Sequence, residues 1–141
     1  MNIMTGCLAP TSGTILVDGV DLQDEPEQVK RRIGYLPELP PLYPEMTVRE
    51  YLTFAAKLKK VPRLRQLQEV VQAMQKTDLT DEQDHLIRTL SKGYRQRVGL
   101  AATLLGNPEV IILDEPTVGL DPRQILEIRD LIRSLREDHV V

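Results

Sequence analysis

The run Val110-Ile111-Ile112-Leu113, followed by Asp114-Glu115-Pro116, restricts the fold of this chain more than any other segment. Four consecutive strand-favouring apolar residues leave no polar face to turn towards water. A strand of this kind is covered on both sides, as in parallel sheets flanked by helices; half-exposed antiparallel strands alternate instead. The run ends on two adjacent carboxylates, Asp114 and Glu115, and a Val-Gly-Leu-Asp-Pro turn follows at 118–122. Ligands of open parallel sheets bind beyond the carboxyl ends of the strands. Acids placed there can divide the labour, the first supporting Mg²⁺ and the second polarising an attacking water. The same residues also describe the start of a solvated loop, and this segment alone leaves both readings open.

The flanking sequence predicts strand and helix alternating at both ends of the chain. GTILVDGVDL (13–22) alternates around Asp18-Gly19, a hairpin signal. Residues 24–32 read as a short charged helix, and IGYLP (33–37) as a brief strand. Pro37, Pro40, Pro41 and Pro44 then exclude regular structure. At the other end a strand over 109–113 precedes a helix capped by Asp121, with Pro122 at its first position and Gln124 reaching back. Its buried stripe is Ile125, Ile128, Leu131, Ile132 and Leu135, and Val140 and Val141 begin a further strand.

Between these ends the pattern is helical. Thr47 to Glu50 forms a capping box, with Met46 and Tyr51 as its hydrophobic staple. Leu52, Ala55, Ala56 and Leu58 give that helix an apolar face, and Pro62 breaks it. Residues 63–76 predict an amphipathic helix through Leu64, Leu67, Val70, Val71 and Met74. A weaker box from Thr80 to Gln83 predicts another short helix. Residues 91–105 follow as a helix with Val98, Ala101, Ala102 and Leu105 on one face, terminated by Gly106-Asn107-Pro108. The fold class is therefore α/β, a parallel-sheet core with an inserted α-helical subdomain.

LSKGYRQRVGL (90–100) is the second segment that can carry chemistry. Ser91 is a good N-cap and Gly93 removes a side chain one turn in. Such a helix start presents free N–H groups and the positive end of the dipole, an anion site in waiting. Taken locally, an ordinary capped helix with Lys92, Arg95 and Arg97 solvated explains the same residues.

The joint arrangement resembles the ATP-binding cassette (ABC) family of ATPases. LSKGYRQR is similar to its LSGGQ signature, VIILDEP to its Walker B strand with the catalytic glutamate, and VGLDP to its D-loop. IGYLPELPPLYPEMTVREYL resembles the Q-loop and the helix entry after it. LPE together with LSKGYRQR is similar to the branch that drives exporters, including drug efflux and gliding-motility-type systems.

The resemblance covers the whole chain and implies a partial P-loop NTPase. Residues 1–46 would be partial core with the Q-loop, 47–105 the helical subdomain with the signature, and 106–141 the Walker B and D-loop part of the core. It implies ATP and Mg²⁺ as cofactors, with Asp114 supporting the metal and Glu115 as general base. Ser91 and Gly93, flanked by Lys92 and Tyr94, would contact the γ-phosphate of ATP held by the opposite subunit of a head-to-tail dimer of identical or paralogous subunits. Asp121 would couple the two sites. The Q-loop and residues up to Tyr51 would contact a transmembrane permease subunit, which makes the expected location cytoplasmic and peripheral on the inner membrane face.

Four departures qualify what the resemblance implies. Lys92 and Tyr94 stand where the usual signature has Gly and Gln, and Glu38 stands at the Q-loop glutamine position, where a carboxylate can still ligate Mg²⁺. No GxxxxGK[ST] occurs in the 141 residues. The opening MNIMTGCLAPTSG reads as the continuation of the helix after a phosphate loop, so a fragment is expected, and the chain alone is expected to be inactive. The switch histidine would follow the strand beginning at Val140; His139 precedes it, and both His85 and His139 read as helix-end histidines. Other readings are a non-catalytic docking or dimerisation module and a soluble ABC protein acting on ribosomes or DNA. A net charge of −3 argues against nucleic acid. Cys7 is the sole cysteine, so no intrachain disulfide forms and a reducing compartment fits.

Overall fold

The computed structural model describes residues 33–137, together with the strand pairing of 16–17 and 20–21. The expected helix at 24–32 and the strand at Val140 lie outside the described residues. Strands β1 (Leu16–Val17) and β2 (Val20–Asp21) pair antiparallel, Val17 opposite Val20 and Leu16 opposite Asp21. Then follow β3 (Ile33–Leu36), helices α1 (Val48–Leu58), α2 (Arg63–Lys76) and α3 (Lys92–Leu104), strand β4 (Val110–Leu113) and α4 (Pro122–Leu135).

β3 and β4 pair in parallel, with Ile33 opposite Val110 and Leu36 opposite Leu113. The ladder runs one step further, where the Asp114 N–H donates to the Leu36 carbonyl at 2.9 Å. Ile111 and Ile112 point to opposite faces and both are buried, so the sheet is covered on both sides. Ile111 joins the core shared with α1, α2 and α3. Leu36, Leu100, Leu120, Ile128 and Leu131 form a second cluster under α4.

Glycine sets how closely α3 approaches the sheet. A Cβ on Gly99 would lie 2.7 Å from Leu36 Cδ1 and 3.1 Å from Pro40 Cβ, and one on Gly34 would lie 2.6 Å from the Thr103 carbonyl oxygen. Helix and strand backbones therefore meet without a side-chain layer between them.

The helix ends follow the sequence where polar caps specify them. Thr47 Oγ1 accepts from the Glu50 N–H and Glu50 Oε1 accepts from the Thr47 N–H, each at 3.1 Å, so the capping box is closed. Met46 and Tyr51, the expected staple, both pack into the same core cluster. α1 ends in a Schellman motif: Val61 N–H donates to the Ala56 carbonyl and Lys60 N–H to the Lys57 carbonyl. α2 ends the same way through Leu79 and Asp78. In each the left-handed position falls on a non-glycine, Lys60 (φ 60°) and Asp78 (φ 56°).

Two expectations are corrected. The box from Thr80 to Gln83 makes no α-helix; Thr80–Glu82 is a single 3₁₀ turn without a side-chain cap. Leu79 before it is wholly buried, and the chain beyond is tied by backbone bonds to the entry of α1, such as Val48 N–H to the His85 carbonyl at 3.2 Å. That anchorage leaves no length for a further helical turn. The apolar face assigned to α2 is also too wide. α2 buries Val70, Ala73 and Met74, whereas Leu64, Leu67 and Val71 lie exposed, as does Leu58 at the end of α1.

Lys59 joins α1 to the end of α3. Its Nζ donates to the Ala102 carbonyl at 2.6 Å, which the Leu105 N–H also reaches at 3.4 Å, and to the Leu105 carbonyl at 3.2 Å, adding donors at a helix terminus. Burial lowers its pKa from 10.5 to about 8, an effect that the nearby Glu69 carboxylate opposes.

Gly99→Ala is expected to cost about 1–3 kcal/mol through overpacking against Leu36 and Pro40, read as a lower urea midpoint. For Lys59 the unfolded chain binds the proton up to 10.5 while the folded chain releases it near 8. Stability therefore rises with pH between those values, at up to about 1.4 kcal/mol per pH unit, until Tyr51, whose pKa burial raises, begins to oppose it. Lys59→Met should flatten that rise in denaturation curves taken at pH 7.5, 8.5 and 9.5.

Candidate functional site

The strand-end acids stand where the register carries them. Asp114 follows β4 directly, and Glu38 lies two residues beyond the end of β3, so the parallel pairing brings both to the carboxyl end of the same sheet. Asp114 is half-buried, while Glu38 and Glu115 are exposed. Glu115 has a left-handed backbone at φ 47°, unusual for a residue with a side chain. A turn of three to four residues follows, with Val118 N–H donating to the Glu115 carbonyl at 3.3 Å, and Gly119 is left-handed again at φ 76°.

The second part is the start of α3. Ser91 Oγ accepts from the Tyr94 N–H at 3.3 Å, as an N-cap should. The N–H groups of Lys92 and Gly93 make no hydrogen bond to a described residue. They are the free donors expected of a helix start.

These two parts interlock. The Lys92 ammonium occupies the space that a Cβ on Gly119 would need, with Cε 3.1 Å from that point. In return, a Cβ on Gly93 would lie 2.8 Å from Gln124 Nε2 and 3.0 Å from Gln124 Cδ. Each contact needs a glycine on one side, and together they fix the signature-like segment against the turn before α4. Asp121 closes the α4 capping box, accepting from the Gln124 N–H at 2.9 Å while Gln124 Oε1 accepts from the Asp121 N–H at 3.3 Å. Of the expected site residues, the structure thus brings Lys92, Gly93, Asp121 and their neighbours into one cluster, and Glu38 and Asp114 to one sheet edge.

Sequence reasoning missed Gln124 as a packing partner of Gly93, although its cap role was legible. It also missed Arg97, for which a solvated position explained the residue locally. Arg97 is 13% exposed; its guanidinium donates to the Thr77 carbonyl at 3.1 Å and to Glu127 Oε2 at 3.2 Å, and it lies over the Tyr94 ring at 5.7 Å. It ties the end of α2, helix α3 and helix α4 together. Arg95 also bonds backbone, donating to the Arg88 carbonyl at 2.9 Å. His85 lies beside Glu82 in the bend after the 3₁₀ turn, not at the end of a helix as expected.

Near the expected Q-loop, Tyr43 packs edge-on against Phe54 at 5.5 Å and tilted against Tyr51 at 6.1 Å. The fit to Mg²⁺ rests on donor chemistry. Glu38, Asp114 and Glu115 offer only hard oxygen ligands, and no group of three potential ligands clusters among the described residues. Hard oxygen donors of this kind are the ones Mg²⁺ takes.

Comparison with known proteins agrees with this geometry. Residues 1–118 match the ABC transporter family, and the chain belongs to it. The bacitracin transport ATP-binding protein BcrA of Bacillus licheniformis is 38% identical over 138 residues, covering 98% of this chain and 44% of that protein. The ABC transporter ATP-binding protein YxlF of Bacillus subtilis (strain 168) is 36% identical over 141 residues, covering 100% of this chain and 46% of the relative. The chain thus spans under half the length of these two. Among solved structures, cbiO1 of Clostridium perfringens, part of the ABC transporter complex cbiONQ, superposes with a TM-score of 0.85 at 30% identity, covering 96% of this chain and 56% of that one. The fold is that of ABC ATPase P-loop domains.

The interlock makes a quantitative expectation. Gly119→Ala should cost about 1–2 kcal/mol from its left-handed φ alone. A further steric part should vanish in a Lys92→Ala background, giving a coupling of about 0.5 kcal/mol or more in a double-mutant cycle of chemical denaturation.

Proposed function

We propose that this chain is part of the ATP-hydrolysing subunit of an ABC exporter, contributing the strand-end acids and the signature helix. The observation that carries the proposal is the interlock of the α3 start with the turn leading from Asp114 and Glu115 to Asp121. One small structure thereby joins a site that works on phosphate in its own subunit to a site that reads phosphate across a dimer.

Mg-ATP, when bound, supplies the transferable phosphoryl group and a metal that neutralises its charge. Asp114 and Glu38, at the carboxyl end of the same sheet, would be the oxygen ligands that hold the metal. The Glu115 carboxylate takes a proton from the attacking water. The Ser91 hydroxyl and the N–H groups of Lys92 and Gly93 donate towards an anion presented by the opposite subunit, with the Lys92 ammonium adding positive charge and Tyr94 bordering the site. Asp121, at the base of the interlock, transmits its position from one site to the other. The Q-loop segment, with Tyr43 exposed beside Phe54 and over the buried Tyr51, is the surface for a transmembrane permease subunit, which puts the protein at the cytoplasmic face of the membrane.

Most of the grip on ATP phosphates comes from the backbone and lysine of a phosphate loop. The purified 141-residue chain titrated with Mg-ATP is therefore expected to show neither micromolar binding nor turnover; either result would overturn the expectation that this chain alone is inactive. In a subunit that carries a phosphate loop ahead of this sequence, Glu115→Gln should lower turnover by about 100-fold or more while ATP binding persists.

A further inference from the structure

Residues 51–68 contain no acid, yet carry Lys57, Lys59, Lys60, Arg63 and Arg65, in a chain whose overall charge is −3. Lys59 is turned inward to the end of α3, but the other four are exposed at the corner where α1 gives way to α2. None of the four makes an ion pair with a described residue.

Apolar side chains project from the same corner. Leu58 is 67% exposed, Leu64 98% and Leu67 73%, with Val71 one turn on. At 100° per residue, positions 64, 67 and 71 fall within about 60° of the α2 circumference, so they form one stripe. A leucine that is 98% exposed has no walls around it, which rules out a groove shaped for a peptide. A partner must instead wrap around a convex ridge, and it must carry negative charge. A lipid interface does both: acyl chains and headgroups give way to aliphatic side chains, and anionic phosphates meet the flanking cations.

We propose that the α1–α2 corner is a docking surface for an anionic lipid bilayer, with Leu64, Leu67 and Val71 immersed and Lys57, Lys60, Arg63 and Arg65 at headgroup level. The surface lies at the opposite end of α2 from Thr77 and Asp78, which Arg97 holds, and α2 is about 20 Å long. Lipid contact and the phosphate-facing cluster are thus served by opposite ends of one helix, and the membrane contact needs no nucleotide. No described helix is long and apolar enough to cross a membrane, so this is contact along a surface.

Co-sedimentation of the full chain with vesicles tests the proposal without reference to ATP. Binding is expected to vesicles of 70% phosphatidylcholine and 30% phosphatidylglycerol, and to fall at least about tenfold on pure phosphatidylcholine or in 0.5 M salt. The pairs Leu64→Ser with Leu67→Ser and Lys60→Glu with Arg65→Glu should each lower the partition coefficient about tenfold, with circular dichroism unchanged, since all four side chains are exposed. Equal binding to neutral and anionic vesicles, or no effect of either pair, overturns it. So does binding to soluble polyglutamate without binding to vesicles, which would mark an acidic protein as the partner. A dimer in light scattering that the leucine pair abolishes, again without vesicle binding, would assign the stripe to a second copy and equally overturn it.

Discussion

The in-register parallel pairing of Ile33–Leu36 with Val110–Leu113 is the constraint on which the rest of the described structure depends. Two strands more than seventy residues apart in sequence are held side by side, and every helix between them must be accommodated in the excursion. Because the pairing runs to the Asp114 amide, the first acid is placed by the sheet and not by a loop. A slip of one residue would turn Ile111 and Ile112 to the wrong faces and carry Asp114 and Glu38 out of step.

Close packing of α3 transmits that placement to the other half of the site. Gly34 and Gly99 let α3 lie directly on β3, so the position of Ser91 and Gly93 is referred to the sheet through one rigid helix. At its start the helix meets the Gly119 turn and Gln124, and along its length Arg97 reaches both α2 and α4. The cluster at the start of α3 is thus bounded by contacts that are either glycine-permitted or made by a largely buried guanidinium. Such contacts tolerate little adjustment. Any movement of α1 and α2 relative to the sheet has to carry α3 with it or break the Arg97 bond to the Thr77 carbonyl.

Much of this was legible in the sequence because local chemistry specifies it. The capping boxes at Thr47 and Asp121, the N-cap at Ser91 and the four-residue strand before Asp114 each follow from residues within one turn of chain. The parallel sheet followed from the continuous apolar run, and the strand-end acids from its end. What could not be read depends on partners distant in sequence. Arg97 looks solvated until Thr77 and Glu127 close around it, and Gly93 looks like a bare helix start until Gln124 fills the space beside it. Leu64 and Leu67 fit a helical period, but periodicity does not say which side of a helix meets the core. The Thr80 box failed for a related reason: the segment after it is held by backbone bonds to residues 44–49, and a local signal of modest strength yields to them.

The left-handed backbone at Glu115 sets two requirements on one residue against each other. Glycine would relieve the conformation, and asparagine would accept it more readily than glutamate does. Neither supplies a carboxylate beyond the end of β4. A search for stabilising substitutions in this fold would therefore be drawn towards position 115, and under the proposed reading each gain in stability there removes the general base.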